Sequence, residues 1–450
     1  MQIQDLKNKL VAILGYGVEG QAITSYLLKH GIKPVLFDQR PWSLWNPEDQ
    51  KKIKQLEINF IFGTDTLKEL AGFDIAFKSP GVKITDVKKS NPNLQITSQT
   101  IFFFENCPAE IIGITGTKGK GTTSSIIAQS LIQAGKQVYL TGNIGYEQPL
   151  NILDDLKAND KVVYELSSFQ LQDLKISPHI AVVLMTAVEH LDHHASETEY
   201  VEAKSNITKF QNKNDFAVIN LDFPNSRLIG DFSIGKKYFF SRKTVLPEGC
   251  YLAKDKIIIP SLNFELETSA LQLRGVHNIE NVSAAILASY LAGCTFETIK
   301  ETVENFKGLE HRLEFIEEKN GIKFYNDSFS TTPETAIAAI NSFTEPEILI
   351  LGGSSKNSNF SELANIIIQK NNLKAVILVG EETTKIKNLI TEFQGQIFEG
   401  AKNMPEILTQ VKSIATRGDV VLLSPACASF DMFQDYKDRG NQFKRGVLKW

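Results

Sequence analysis

Short runs of aliphatic and β-branched residues recur along the chain, each closing on glycine or proline and followed by residues at helical spacing. That alternation predicts α/β domains with largely parallel sheets. The pattern starts three times with different turn chemistry, so the three stretches are not close repeats. In the first, LVAILGYG (10–17) predicts a strand entering a glycine turn, with a helix over 21–30 and further strands over KPVLFD (33–38) and FDIAFKSPG (73–81). In the second, AEIIGITG (109–116) leads through a Gly/Lys/Thr turn into a helix ending near Ala134. Buried strands are predicted at 161–167, 179–186 and 215–221. Short alternating runs between 235 and 274 predict a small antiparallel insert, and helical spacing returns over 278–292. The third stretch, from Lys307, has strands at 323–327, 347–353, 374–380 and 419–425, a doubly wound outline. The expectation is α/β with three domains. Residues 1–99 form a Rossmann-like N-terminal domain, 100–306 a central P-loop-type ATPase domain carrying the antiparallel insert, and 307–450 a Rossmann-like C-terminal domain.

Composition narrows the class of protein. Lys plus Arg number 48 against 52 Asp plus Glu, a net charge of -4 with no basic block, so a nucleic-acid partner is not expected. The four cysteines, Cys107, Cys250, Cys294 and Cys427, lie far apart with no CxxC pair. That argues against a zinc ribbon or a secreted disulfide scaffold and fits a reducing cytosol. No apolar run reaches the ~18 residues of a membrane helix, and MQIQDLKNKLVAILGYG lacks a signal peptide's apolar stretch. A cytoplasmic monomer working on small molecules, away from membranes, is expected.

The strongest local motif is TGTKGKGTT (115–123), which follows a strand and opens a helix. Gly116, Gly119 and Gly121 let backbone approach a phosphate closely, and amides at the helix N-terminus point at the anion. Lys120 stands like a phosphate-binding lysine, with Thr117, Lys118, Thr122 and Thr123 around it. The loop is not a strict Walker A sequence, because Ile114 takes the place of the first glycine and Gly121 that of the hydroxyl residue after Lys120. GYGVEG (15–20), with Asp38 ending the next strand, reads alone as a dinucleotide fingerprint, although the same turn holds other diphosphates. VEHLDHH (188–194) puts three histidines after a strand, with His190 the functional candidate. Glu165 ends a strand and is a candidate Mg²⁺ ligand, whereas Lys204 by itself reads as a surface charge. In the third stretch, Arg312 and Asp327 fall close to the domain junction, and the turns carrying Lys356 and Ser429 suit a small carboxylate.

GNIG (142–145), ELSSFQL (165–171), YVEAK ending at Lys204, HNIEN (277–281), HRLE (311–314), LGG followed by Lys356, and LLSPACASFD (422–431) occur in this order. Over nearly its whole length the chain thereby resembles the Mur ligases, the ATP-dependent amide ligases of peptidoglycan synthesis. Within them it is most similar to the branch that adds D-glutamate to UDP-N-acetylmuramoyl-L-alanine. The resemblance implies that Val18, Glu19, Gly20, Asp38, Gln39, Arg40 and Gly81 hold the uridine diphosphate end of that substrate, and that Asn143 meets its muramoyl peptide. It implies Lys120 on the β- and γ-phosphates of ATP, with Asn278, Asn281, Arg312 and Asp327 on adenine, phosphate and ribose. Two Mg²⁺ would be held by Glu165 with Thr122, and by His190 with a carbamate on Lys204. A carbamate forms on a neutral amine, which burial favours. Thr331, Lys356, Ser429, Phe430 and Tyr436 would surround the glutamate.

Three positions depart from the family pattern. Gly121 follows Lys120 directly, as in folylpolyglutamate synthases. Glu189 precedes His190 where Asp is usual, and Phe329 replaces a lysine after Asp327-Ser328. The alternatives are an L-glutamate-adding or folylpolyglutamate-type ligase, favoured by the Gly-Lys-Gly-Thr loop, a non-catalytic ATP switch, and an NAD-dependent oxidoreductase resting on GYGVEG. The last leaves the loop at 115–123 without a role.

Overall fold

A computed structural model describes residues 1–143, 147–187, 196–273, 275–355 and 358–450. It divides into two compact units, one of Met1–Leu266 with Glu280–Thr302 and one of Glu267–Ile279 with Val303–Trp450.

The first unit holds two sheets. One runs Phe60–Phe62, Val35–Asp38, Val11–Leu14, Ile75–Lys78, Gln95–Thr97, with every neighbouring pair parallel. Val11–Leu14 is central and buried at all four positions, which is why it reads as a continuous apolar run rather than an alternation. The helix after it begins at Val18, inside the glycine turn and three residues before the predicted start.

The second sheet has nine strands. Its core is Phe216–Asn220, Ile180–Val183, Glu110–Thr115, Lys161–Glu165 and Val138–Gly142, side by side and parallel. The region expected as an antiparallel insert extends this sheet, parallel at first and antiparallel at its outer strands. Lys236–Ser241 pairs in parallel with Phe216–Asn220 after a crossover through helix Pro224–Asp231. Gly230 lets that helix close on the strand, since a Cβ there would stand 2.3 Å from Ile219 Cδ1. Cys250–Ala253 joins parallel to Lys236–Ser241, and the direction reverses only at the pairing with Lys256–Ile259. The polar–apolar alternation marks an outer strand with one wet face, as in Phe264–Glu267.

One hydrophobic cluster runs through both sheets of this unit. Phe102 and Phe103, on helix Gln99–Asn106, share it with Ile23 and Tyr26 on one side and Leu150 and Tyr164 on the other. Polar groups fasten the same junction. The Tyr164 and Thr100 hydroxyls lie 3.2 Å apart, and buried Lys78 pairs with Asp173 at 2.8 Å.

The second unit holds a six-stranded sheet ordered Glu314–Lys319, Ile322–Asn326, Val420–Leu423, Glu347–Gly352, Leu373–Val379, Gln396–Phe398. Only the first pair is antiparallel. Among the described residues, no helix is long and apolar enough to cross a membrane.

Glu347 opens a central strand of this sheet. It is fully buried, and neither carboxyl oxygen has a hydrogen-bond partner among the described residues. Burial raises its pKa, Lys370 partly offsets that, and Glu345 adds to it. The neutral form is therefore the one the fold tolerates. A group whose folded pKa is raised contributes stability at low pH that is lost as the pH rises through the raised value. Glu347→Gln should thus melt like the parent at about pH 5 and be stabilised by at least about 1 kcal/mol at about pH 9. Thermal melts at the two pH values check this, and an equal effect at both would rule the carboxyl out as the cause.

Candidate active site

The turn between strand Glu110–Thr115 and helix Lys120–Gln133 has a backbone only glycine accepts readily. Gly116 has φ +152° and Gly119 has φ +88°. A Cβ on Gly116 would press on Leu184 Cβ at 2.8 Å, and one on Gly119 would stand 2.0 Å from Asn281 Oδ1. Neighbouring segments hold the turn. Thr117 N donates to Met185 O at 2.8 Å, and its hydroxyl donates to Ala187 O at 2.7 Å. The Thr123 hydroxyl donates to Asn281 O at 3.4 Å. Lys118 points to solvent, while Thr122 and Thr123 are buried.

Two lysines meet at this turn. Lys120 Nζ donates to Gly116 O and Thr117 O, both at 3.1 Å. Lys204, on helix Glu197–Lys209, is 2% exposed, and its Nζ donates to the same Gly116 oxygen at 3.1 Å and to Thr115 Oγ1 at 3.2 Å. The residue that reads as a surface charge is thus inside, beneath the loop. Tyr200, one helical turn before it, lies with its ring 4.9 Å from the Lys204 ammonium and its hydroxyl 3.1 Å from Thr117 Oγ1.

A cavity of about 310 Å³ opens over these groups. Gly116, Thr117, Lys120, Tyr200 and Lys204 form one wall, and Asn143 with Ser167–Gln170 another. Glu19, at the start of helix Val18–Lys29, and Pro80, after strand Ile75–Lys78, line it from the side of the first sheet. Glu165 is buried at the end of its strand beside Gly142, whose Cβ would strike the Glu165 carbonyl. Glu165 and the Thr122 hydroxyl are hard oxygen donors that suit Mg²⁺. Among the described residues no three metal-binding side chains cluster, and His190 lies outside the described residues, as does Lys356.

The first turn is braced internally. Asp38 accepts from Tyr16 N at 2.8 Å and Arg40 N at 2.9 Å, so both of its oxygens hold backbone. The Arg40 guanidinium lies 3.5 Å over the Trp45 ring, and Val18, Gln39 and Gly81 are exposed. At Gly20 a Cβ would collide with Gly15 O. Glu19 turns inward, where its Oε1 accepts from Gln170 Nε2 at 3.0 Å and its Oε2 is buried with no partner among the described residues. Burial raises its pKa, with the Gln170 hydrogen bond and Lys78 pulling the other way.

The second unit carries its own cluster. Asp327 is buried, accepting from Ser424 Oγ at 2.8 Å and Leu313 N at 3.0 Å, and burial pushes its pKa up to about 7. The Arg312 guanidinium sits 4.5 Å over the Phe329 ring, which meets Tyr436 edge-on at 5.1 Å. Ser429 is buried, Phe430 is 73% exposed, and Thr331 is half-buried. His311, Leu313 and Ala426 adopt positive φ without being glycine, at 64°, 43° and 58°. Such strain gathers at functional loops. On helix Val276–Leu291, Asn278 of this unit and Asn281 of the first unit are each buried.

Sequence reading assigned no role to Tyr200, Pro80 or Ser167–Gln170. Two signals were available. Tyr200 precedes Lys204 by four residues on a helix, and Ser167-x-x-Gln170 is a capping box at a strand's end.

The chain matches three family profiles. These are the Mur ligase MurD-like N-terminal domain over residues 9–97, the Mur ligase middle domain over 114–289, and the Mur ligase glutamate ligase domain over 311–427. It is 37% identical to the UDP-N-acetylmuramoylalanine--D-glutamate ligase of Acetivibrio thermocellus, over 98% of this chain and 97% of that one. It is 36% identical to the ligase of the same name from Clostridium kluyveri, over 99% and 97%. Among solved structures, the UDP-N-acetylmuramate-alanine ligase MurC of Thermotoga maritima shares the fold with a TM-score of 0.61 at 17% identity, over 98% of this chain and 100% of that one. The MurF ligase of the same organism, in complex with ADP, does so with 0.58 at 18%, over 100% and 97%.

Gly119 joins both constraints of the turn, its positive φ and its approach to Asn281. Gly119→Ala should introduce strain of about 1–3 kcal/mol and weaken nucleoside triphosphate binding roughly tenfold or more. Fluorescent-nucleotide titration measures this. Affinity unchanged in the folded variant would show that the turn does not hold the nucleotide.

Proposed function

The chain belongs to the Mur ligase family, and we propose from that membership that it joins D-glutamate to the L-alanine carboxylate of UDP-N-acetylmuramoyl-L-alanine, driven by ATP. The observation that carries the reading is the single cavity shared by the phosphate-type turn, its two lysines and the turns of the first sheet. A phosphate donor bound at Gly116–Thr123 and an acceptor carboxylate presented from the side of Glu19 and Asn143 would meet there. Nearly full-length identity to two D-glutamate ligases favours that amino acid over L-glutamate or a folate substrate.

In this reading the L-alanine carboxylate attacks the γ-phosphorus of ATP, ADP leaves, and an acyl phosphate forms. The amine of D-glutamate then attacks the acyl carbon, loses a proton, and expels phosphate as the amide forms. Lys120 and the amides opening its helix stabilise charge on the transferring phosphoryl group. Glu165 and Thr122 would hold magnesium, which when bound neutralises further charge on the phosphates. Asp38 keeps the first turn in shape for the uridine diphosphate. Family membership is the ground for assigning Arg312 and Asp327 to ATP, and Ser429, Phe430, Thr331 and Tyr436 to the amino acid. ATP and nucleotide sugars put the reaction in the cytoplasm.

The carbamate on Lys204 has a local rationale. Two ammonium groups on the Gly116 oxygen repel one another. Converting the Lys204 amine to a carbamate anion turns that repulsion into attraction, at a side chain buried beneath the loop.

Two measurements test the reading. Phosphate release from ATP with UDP-N-acetylmuramoyl-L-alanine should require D-glutamate and be absent with L-glutamate. Release with L-glutamate alone would reassign the substrate, and saturable NADH binding in its place would remove the ligase reading. Lys204→Ala should lose on the order of 100-fold in turnover, with added bicarbonate restoring none of it. Near-parental activity would end the proposed role of Lys204.

A further inference from the structure

Arg439 lies on helix Tyr436–Leu448 and is 1% exposed. Among the described residues, all of its hydrogen bonds end on neutral oxygens. Nε donates to Ser328 Oγ at 2.9 Å, and Nη2 donates to Ser328 O at 2.8 Å and Cys427 O at 3.2 Å. Nη1 donates to Cys427 O at 3.2 Å and Ala428 O at 3.3 Å. The guanidinium therefore ties the loop after strand Ile322–Asn326 to the loop after strand Val420–Leu423 without meeting a carboxylate.

A buried cation held only by neutral groups is a poor stabiliser. Desolvating it costs several kcal/mol, and packed neutral side chains could join the same loops. Its acidic neighbours do not cancel it at contact distance. Asp327 and Asp431 act on it through space. Asp327 is occupied by Ser424 and Leu313, while Asp431 Oδ2 accepts from Glu381 N at 3.0 Å. The Cys427 thiol is pushed up to about 12, chiefly by burial, and carries no charge at neutral pH.

The charge has a route outward. The Ala428 carbonyl that Arg439 polarises belongs to the same peptide group as the Ser429 N–H, so the hydrogen bond makes that N–H a stronger donor. Ser328 likewise precedes Phe329, the exposed residue that stacks against Arg312 and Tyr436. We propose that Arg439 is a positioning and specificity residue, a buried positive charge that acts through the Ala428–Ser429 peptide to draw a carboxylate of the incoming amino acid onto this loop. The proposal rests on the amino-acid ligase reading above.

The test uses the full-length enzyme, with parental turnover on D-glutamate as its control. Absence of that turnover would fail the ligase reading itself and would leave Arg439 no amino acid to recruit. Arg439→Lys keeps the charge but loses the fork, and Arg439→Met loses both. The Met variant should raise KM for D-glutamate roughly tenfold or more, with KM for ATP and kcat within about threefold. The Lys variant should keep KM for D-glutamate within about threefold. A purely structural role would lower the melting temperature and kcat in both variants alike, without singling out glutamate, and would overturn the proposal. If Arg439→Met does not fold, the Lys variant decides alone, because a tenfold rise in its glutamate KM at parental melting temperature would show that charge is not what matters.

Discussion

A loop that binds an anion through its own amides has few side chains of its own with which to keep its shape. At residues 115–120 the geometry is imposed from outside. Met185 and Ala187, following the strand Ile180–Val183, take the N–H and the hydroxyl of Thr117. Asn281, far along the chain, fills the space that a side chain at Gly119 would need. Lys204 supports the Gly116 carbonyl from below. The order of the central strands and the placing of two long helices can be understood as what this one turn requires, since each supplies an anchor that local sequence cannot.

The same economy explains how the first sheet is attached. A nucleotide-type turn at 15–20 would be of little use to the phosphate turn if the two moved independently. The shared cluster around Phe102, Phe103 and Tyr164 packs them as one body, and Lys78–Asp173 and Glu19–Gln170 set the register with polar contacts. Cations are buried here in two different ways. Lys78 meets a carboxylate, as a fastening should, because an unpaired partner would be penalised heavily. Arg439 meets only carbonyls and a hydroxyl, an arrangement that leaves its field available to a ligand.

Central strands were legible in the chain because both of their faces are buried, so Val11–Leu14, Ile180–Val183 and Val420–Leu423 stand out as apolar runs. Phe60–Phe62, Gln95–Thr97, Val138–Gly142, Glu314–Lys319 and Gln396–Phe398 escaped notice, and each is an outer strand of its sheet. An outer strand is half wet and takes its hydrogen bonds from one side only, so its residues need not look like a strand. The insert at 235–274 was legible as short alternating strands, of which Cys250–Ala253 and Lys256–Ile259 pair antiparallel while Lys236–Ser241 joins the sheet in parallel. Alternation reports one exposed face and is silent about direction.

By itself, the sequence determined the three glycine turns, the strands that feed them, and through its motifs the ligase family and the candidates Lys120, Glu165 and Asp327. Those features are local, because a turn's φ angles and a strand's apolar run depend on neighbours in the chain. Only the tertiary structure decided that Lys204 is buried against the same carbonyl as Lys120, that Glu19 faces Gln170, and that Arg439 sits in the core beneath two loops. A lysine or arginine on a helix has the same local pattern whether its helix faces water or packs inward. What distinguishes them is the set of oxygens brought near by residues a hundred positions away, and that is a property of the packed chain.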